Sequence, residues 1–163
     1  MGSLLFSMKG RINSAEFLKG AIILITINVI LSALSHFMAG LMVWFVLVSI
    51  ILIWPWLAIW VKRFHDGGRS GWMVLVAILV WAVVGWAFSL IVNMVIPIDK
   101  TVIEAAAASG DIGEIIRVSI ESVKPQFFLR LIFSVVGSLI VVLLFNAIIK
   151  SDPEENQFGE PTT

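Results

Sequence analysis

Residues 20–61 read GAIILITINVILSALSHFMAGLMVWFVLVSIILIWPWLAIWV. No Asp, Glu, Lys or Arg interrupts these 42 positions. A bilayer core of roughly 30 Å is crossed by about 20 apolar residues of helix, so the run holds two crossings. Irregular backbone in hydrocarbon leaves polar groups unpaired, which makes both of them helices. The break between them is expected around 35–40, giving spans at 19–37 and 41–61.

Charge-free stretches recur at 71–98 and 131–149, and they place two further spans at 72–96 and 128–149. The expected fold is an all-α membrane protein with four transmembrane helices in two hairpins, forming a domain over 1–150 with a tail at 151–163. Composition agrees, since 60% hydrophobic and 13% charged residues, with a mean hydropathy of +1.04, leave more apolar surface than a water-soluble core of this size can hide. Lys9, Arg11 and Lys19 before the first apolar run resemble the start of a signal peptide. The length of the run and the lack of a small-residue cleavage pattern favour an uncleaved anchor.

Eleven basic and eleven acidic residues cancel, which points away from nucleic acid as a partner. The absence of cysteine removes disulfides and thiolate chemistry. Lys9, Arg11, Lys19, Lys62, Arg63, Arg69 and Lys150 fall on one side of a four-span arrangement, and Lys100, Arg117, Lys124 and Arg130 on the other. The positive-inside rule then puts both termini in the cytoplasm.

Local signals refine the plan. Asn13 followed by Glu16 is a variant of the capping box, Pro55 falls inside the second span, Gly67 and Gly68 stop that helix, and Ser70 is a cap for the third. The outer segment 99–126 is polar and alanine-rich up to Ser109 and Gly110, then amphipathic. Ile112, Ile115, Ile116, Ile120 and Val123 share one side, with Glu114, Arg117, Glu121 and Lys124 on another. This predicts a helix over 111–124, either lying on the outer membrane face or packing on the ends of the bundle or on a partner. By composition the tail is a disordered end.

The densest polar cluster is Lys62-Arg63-Phe64-His65-Asp66-Gly67-Gly68-Arg69-Ser70-Gly71-Trp72. A glycine turn before a helix N-terminus can present N–H groups to an anion, with Arg69 and Ser70 adding bonds, and a lipid phosphate is the natural occupant at this level. The structural alternative is a basic interfacial loop with a belt Trp, in which Asp66 pairs with Arg63 or Arg69. His65 lacks a second nearby ligand, so no metal and no cofactor are expected.

Three segments carry a family resemblance: Gly10-Arg11-Ile12-Asn13-Ser14-Ala15-Glu16-Phe17, the loop from Arg63 to Trp72, and Asn156-Gln157-Phe158-Gly159-Glu160-Pro161. Together they resemble the bacterial inner-membrane family catalogued as domain of unknown function 805. The resemblance implies a small multispan protein of the cytoplasmic membrane and brings no activity, cofactor or catalytic residue. Phe158 stands where Tyr is more usual and Gln157 where Arg is, and the segment 99–126 is longer than the usual outer loop. The tail pattern further implies that 156–161 docks on the 63–72 loop. Phe158 would serve as an apolar anchor, Asn156 would bond the Gly67-Gly68 turn, and Glu154, Glu155 and Glu160 would meet Lys62, Arg63 or Arg69. The contact residues expected for a ligand or partner are thus Arg63, His65, Asp66, Arg69, Ser70, Trp72, Asn156 and Phe158.

Within the spans, Asn28, Ser32, Ser35 and His36 form one stripe, Gly85, Ser89 and Asn93 a second, and Ser134 and Ser138 a third. Such stripes serve close helix packing more often than a polar path. Trp54, Trp56, Trp81 and Trp86 lie too deep for an interfacial belt and fill the core, face lipid or a partner helix, or line a pocket. No catalytic constellation emerges. The expected role is a non-enzymatic accessory or scaffold subunit that binds a membrane-protein partner, membrane lipids or further copies of itself. The alternative is a small oligomeric transporter or lipid-handling protein.

Overall fold

The computed structural model describes residues 2–162, apart from the side chains of Ala39 and Met42. Seven α-helices follow one another: α1 (Gly2–Phe6), α2 (Ser14–Phe37), α3 (Met42–Asp66), α4 (Val74–Val95), α5 (Lys100–Ser109), α6 (Ile112–Val123) and α7 (Phe127–Ile148). Four helical runs are long and apolar enough to cross a membrane, the last of them reaching from α6 through α7.

Local chemistry accounts for the boundaries. At the start of α2, Asn13 Oδ1 accepts from the Glu16 amide at 2.9 Å, and the Glu16 carboxylate accepts from the Asn13 amide at 3.3 Å. Two of the orphan donors of the first turn are thereby satisfied. A 3-10 turn at Ala39–Leu41 joins α2 to α3. Helix α3 runs five residues beyond the expected end at 61, so Lys62, Arg63, His65 and Asp66 are helical residues rather than parts of a loop. Gly67 caps it, and Gly68 takes a φ of +68° that side-chain-bearing residues seldom adopt. Ser70 caps the 3-10 turn Gly71–Met73 that leads into α4.

The segment 99–126 holds two helices. Bonds from the Thr101 hydroxyl and amide hold the Asp99 carboxyl below its ordinary range and cap α5. Gly110 breaks the chain with a φ of +72°, and Asp111 caps α6. On α6, Arg117 pairs with Glu114 at 2.7 Å, and Lys124 just beyond it pairs with Glu121 at 2.6 Å. Pro125 falls in the 3-10 turn Lys124–Gln126 that passes directly into α7.

The main packing contacts are α2 with α3, α2 with α7, and α4 with α7, whereas α3 and α4 touch little beyond their connecting turn. The core lies toward the end where α2 and α4 begin and α3 and α7 finish. There Phe17 meets the edge of Trp60 at 4.8 Å, and Phe64 and Phe145 close on the same ring. At the far end, His36 stacks on Phe127 at 3.8 Å and ties α2 to the start of α7.

Candidate functional site

Asp66, in the last turn of α3, is fully buried, and four side chains converge on it. Arg63 Nη1 donates to Oδ2 at 2.7 Å and Arg11 Nε to Oδ1 at 3.3 Å. The hydroxyls of Ser151 and Thr162 add bonds of 2.5 and 2.7 Å. Burying a carboxylate costs several kcal/mol unless opposite charge and hydrogen bonds compensate it, and this one has both.

Each arginine then reaches a different part of the chain. Arg63, also buried, donates to Asn146 Oδ1 at 2.9 Å, to the Asn146 carbonyl at 3.2 Å and to the Ile149 carbonyl, which fixes α3 to the end of α7. Asn146 in turn donates to the Ser14 hydroxyl at 2.7 Å, bringing in α2. Arg11 donates to the carbonyls of Asp152 at 2.5 Å, Glu154 at 2.8 Å and Gly159 at 3.2 Å, and so holds the tail. Lys62 reaches the carbonyls of Ser3 and Leu4 and caps α1 against α3. Both ends of the chain are gathered at one end of the bundle.

The tail is ordered by these contacts. The Asp152 amide donates to the Asp66 carbonyl at 2.8 Å, Asn156 Nδ2 donates to the His65 carbonyl at 3.1 Å, and the Phe158 ring stacks on His65 at 3.7 Å and 3°. His65 Nδ1 lies 3.2 Å from the Gly10 carbonyl. A tail disordered by composition is therefore corrected, and the docking implied by the resemblance is present with other partners. Asn156 bonds His65 rather than the glycine turn. Among the described residues, no carboxylate of Glu154, Glu155 or Glu160 pairs with Lys62, Arg63 or Arg69. Arg11 takes that place by bonding backbone carbonyls.

Of the eight expected contact residues, Arg63, His65, Asp66, Asn156 and Phe158 come together. Arg69 is exposed with no side-chain partner among the described residues, Ser70 caps its own turn, and Trp72 is 79% exposed. Of the two readings of the glycine turn, its amides follow the structural one. The Gly67 and Arg69 amides donate to the Phe64 carbonyl and the Gly68 amide to the His65 carbonyl, so these N–H groups close the end of α3 and are not offered to a ligand. Arg11, Asn146, Ser151 and Thr162 were not among the expected contacts. Arg11 carried a signal as part of the opening motif, and Asn146 as the lone amide in the last turn of an apolar helix. Ser151 and Thr162 carried none. Among the described residues, every buried side-chain nitrogen and oxygen has a partner and no acidic, His or Cys group is placed to hold a metal.

A second feature lies deeper in the bundle. A cleft of about 540 Å³ is enclosed by α2, α3, α4 and α7, with Asn28, Ser32, Trp56, Trp60, Trp81 and Ser138 in its walls. Its polar groups turn back on their own helices. Asn28 donates to the Leu24 carbonyl at 2.9 Å, Ser49 to Phe45 at 2.8 Å and Ser134 to Leu131 at 2.8 Å.

The family described as Protein of unknown function (DUF805) matches residues 5–102. The chain belongs to the DUF805 family. The match takes in Arg11, Arg63 and Asp66, while the tail segment 156–161 lies beyond it. No curated protein and no solved structure matches the chain significantly.

Proposed function

We propose that this DUF805 protein is a non-enzymatic lipid-binding module of the bacterial cytoplasmic membrane, with an acyl chain in the cleft and the Asp66 network fixing the helix ends around it. The observation that carries this reading is the cleft's wall, which is aromatic and aliphatic over most of its surface. Asn28, Ser49 and Ser134 bond their own backbones, and beside the hydroxyls of Ser32 and Ser138 the wall is built mainly of Ile, Leu, Val and Trp side chains. A cleft of about 540 Å³ is within the range of roughly 300–1,000 Å³ for small-molecule sites. The sparse contact between α3 and α4 supplies a lateral entrance from the bilayer.

Both termini face the cytoplasm in this proposal, supported by the excess of Lys and Arg on their side. The saturated Asp66 network speaks for a structural rather than a catalytic role, since each of its carboxylate oxygens already accepts two hydrogen bonds. Helix α6, with its row of ion pairs, lies on the outer membrane face. An accessory role beside another membrane protein is the second reading, favoured by the broad exposed apolar face of α3 at Trp44, Leu47, Ile50 and Ile51.

Native mass spectrometry after purification in a mild detergent tests the proposal. Wild type is expected to carry lipid, and Ser138→Phe and Ser49→Leu, which fill the cleft, to carry several-fold less. Equal retention by folded variants overturns it, and a stoichiometric protein partner in place of lipid supports the accessory reading.

A further inference from the structure

At the end of the bundle away from Asp66, α4 and α7 pack closely enough that a Cβ on Gly137 would meet Phe88 ring carbons at 3.2 Å. Phe88 stacks on Phe133 across this contact at 4.6 Å and 5°. Beside the rings opens a hollow of about 240 Å³, lined by Trp81, Gly85, Phe88, Ser89, Arg130 and Phe133 among others. Gly85 contributes open space, since a Cβ there would touch nothing within 4 Å.

Arg130 stands at this apolar hollow as an exposed cation. Its Nε donates to Gln126 Oε1 at 2.7 Å. Gln126 is itself fully buried and anchored to α4, donating to Asn93 Oδ1 at 3.0 Å and to the Ile96 carbonyl at 2.6 Å. One edge of the guanidinium is thereby fixed by a rigid amide, while its two terminal amino groups have no acceptor among the described residues. Among the described residues no carboxylate pairs with it.

Arg130 lies one turn into α7, about 4.5 Å along the axis from Phe127, and a long side chain at that depth can bring its charge to the headgroup layer. Ser89 lies about 9 Å back from Val95 along α4, at the greater depth of a glycerol ester, and its hydroxyl has no partner among the described residues. Trp81 and Ser134 line both the hollow and the larger cleft, so the two are adjacent.

We propose that Arg130 binds the phosphate of an anionic phospholipid from the leaflet away from Asp66, with an acyl chain lying in the hollow beside Gly85 and Phe88. The guanidinium matches phosphate with two parallel charge-assisted bonds. A headgroup of net negative charge completes an otherwise unpaired cation. The inference rests on the lipid reading above, and adds the class of lipid and the residue that selects it.

The test titrates purified protein in mild detergent with dioleoyl-phosphatidylglycerol or dioleoyl-phosphatidylcholine, with bound lipid counted by native mass spectrometry. Wild type is expected to prefer phosphatidylglycerol by roughly tenfold. Arg130→Gln should lose the preference while still binding lipid, and Arg130→Lys, which keeps the charge without the planar fork, should retain part of it. Ser138→Phe should lower the retention of both lipids. An unchanged preference in Arg130→Gln overturns the inference, as does displacement of phosphatidylglycerol by millimolar inorganic phosphate, which would make the site one for free phosphate. Loss of preference in Arg130→Gln together with full lipid retention in Ser138→Phe leaves Arg130 as the selector and removes the cleft as the chain's site.

Discussion

Replacing Asp66 by alanine should free the tail without dissolving the bundle. The carboxylate accepts from Arg63, Arg11, Ser151 and Thr162, so its loss leaves two buried guanidinium groups without their anion. Removing one partner of a buried pair costs about 3–5 kcal/mol, more than an exposed pair's roughly 0–1 kcal/mol. Arg63 keeps its bonds to Asn146 and the Ile149 carbonyl, so α3 stays joined to α7. Arg11 loses its anion and keeps only the Asp66 carbonyl, at 3.2 Å, on the α3 side, and the tail also loses the Ser151 and Thr162 bonds. The full penalty therefore falls mainly on tail docking. At about 1.4 kcal/mol per tenfold, the open population of the tail should rise by roughly two to three and a half orders of magnitude. Hydrogen exchange at the Asp152 amide in reconstituted protein reads this directly, since that amide donates to the Asp66 carbonyl across the docked contact. Cleavage after Glu154 and Glu155 by a glutamate-specific protease reads it independently. Wild-type exchange at that amide in an otherwise folded Asp66→Ala protein would refute the reasoning.

Phe158→Ala removes the stack on His65, worth about 0.5–1.5 kcal/mol, and should raise tail cleavage roughly two- to tenfold, well below the Asp66→Ala effect. Arg69→Ala, at an exposed residue with no side-chain partner among those described, should leave cleavage at the wild-type rate, and enhanced cleavage would show a contact of Arg69 with the tail. Gly67→Ala would place a methyl 2.8 Å from Ile149 Cγ2 and 3.2 Å from the Lys150 carbonyl. Because Ile149 is buried and β-branched, overpacking of about 1–3 kcal/mol is expected, seen as a lower thermal midpoint in detergent, and an unchanged midpoint would mean that the junction yields freely.

The four crossings were legible because hydrocarbon imposes a length and a composition that charge-free runs reveal directly. The capping box at Asn13 and Glu16 was legible because it needs only three residues of chain. The end of α3 was not, since Lys62, Arg63 and Asp66 look like loop charges until their partners 50 or more residues away are known. Periodicity is silent on such partners. Tail docking was visible as a pattern but its bonding was not, because Arg11 reads backbone carbonyls, which every sequence supplies. The stripes of Asn28, Ser32, Ser134 and Ser138 suggested close packing. Small residues permit helices to approach, yet the same residues line a cleft where no large side chain fills the space.

The two ends of the bundle differ in how they treat arginine. Arg63 is buried and donates to Asp66, Ser151, Asn146 and Ile149, leaving nothing to offer a ligand. Arg130 is exposed, donates one bond to Gln126, and its remaining donors meet no acceptor among the described residues. A saturated charge specifies geometry, because moving any partner strands the others. An unsaturated one beside an apolar hollow retains its electrostatic energy for an anion from outside. The segments Gly10 to Phe17, Arg63 to Trp72 and Asn156 to Pro161 all gather at the saturated end, where they fix how the helices are joined. The hollow at Arg130 belongs to α4 and α7, away from those segments. On this physical ground, the motifs of the family resemblance report the frame of the bundle, and the proposed selectivity for an anionic lipid rests on the opposite end.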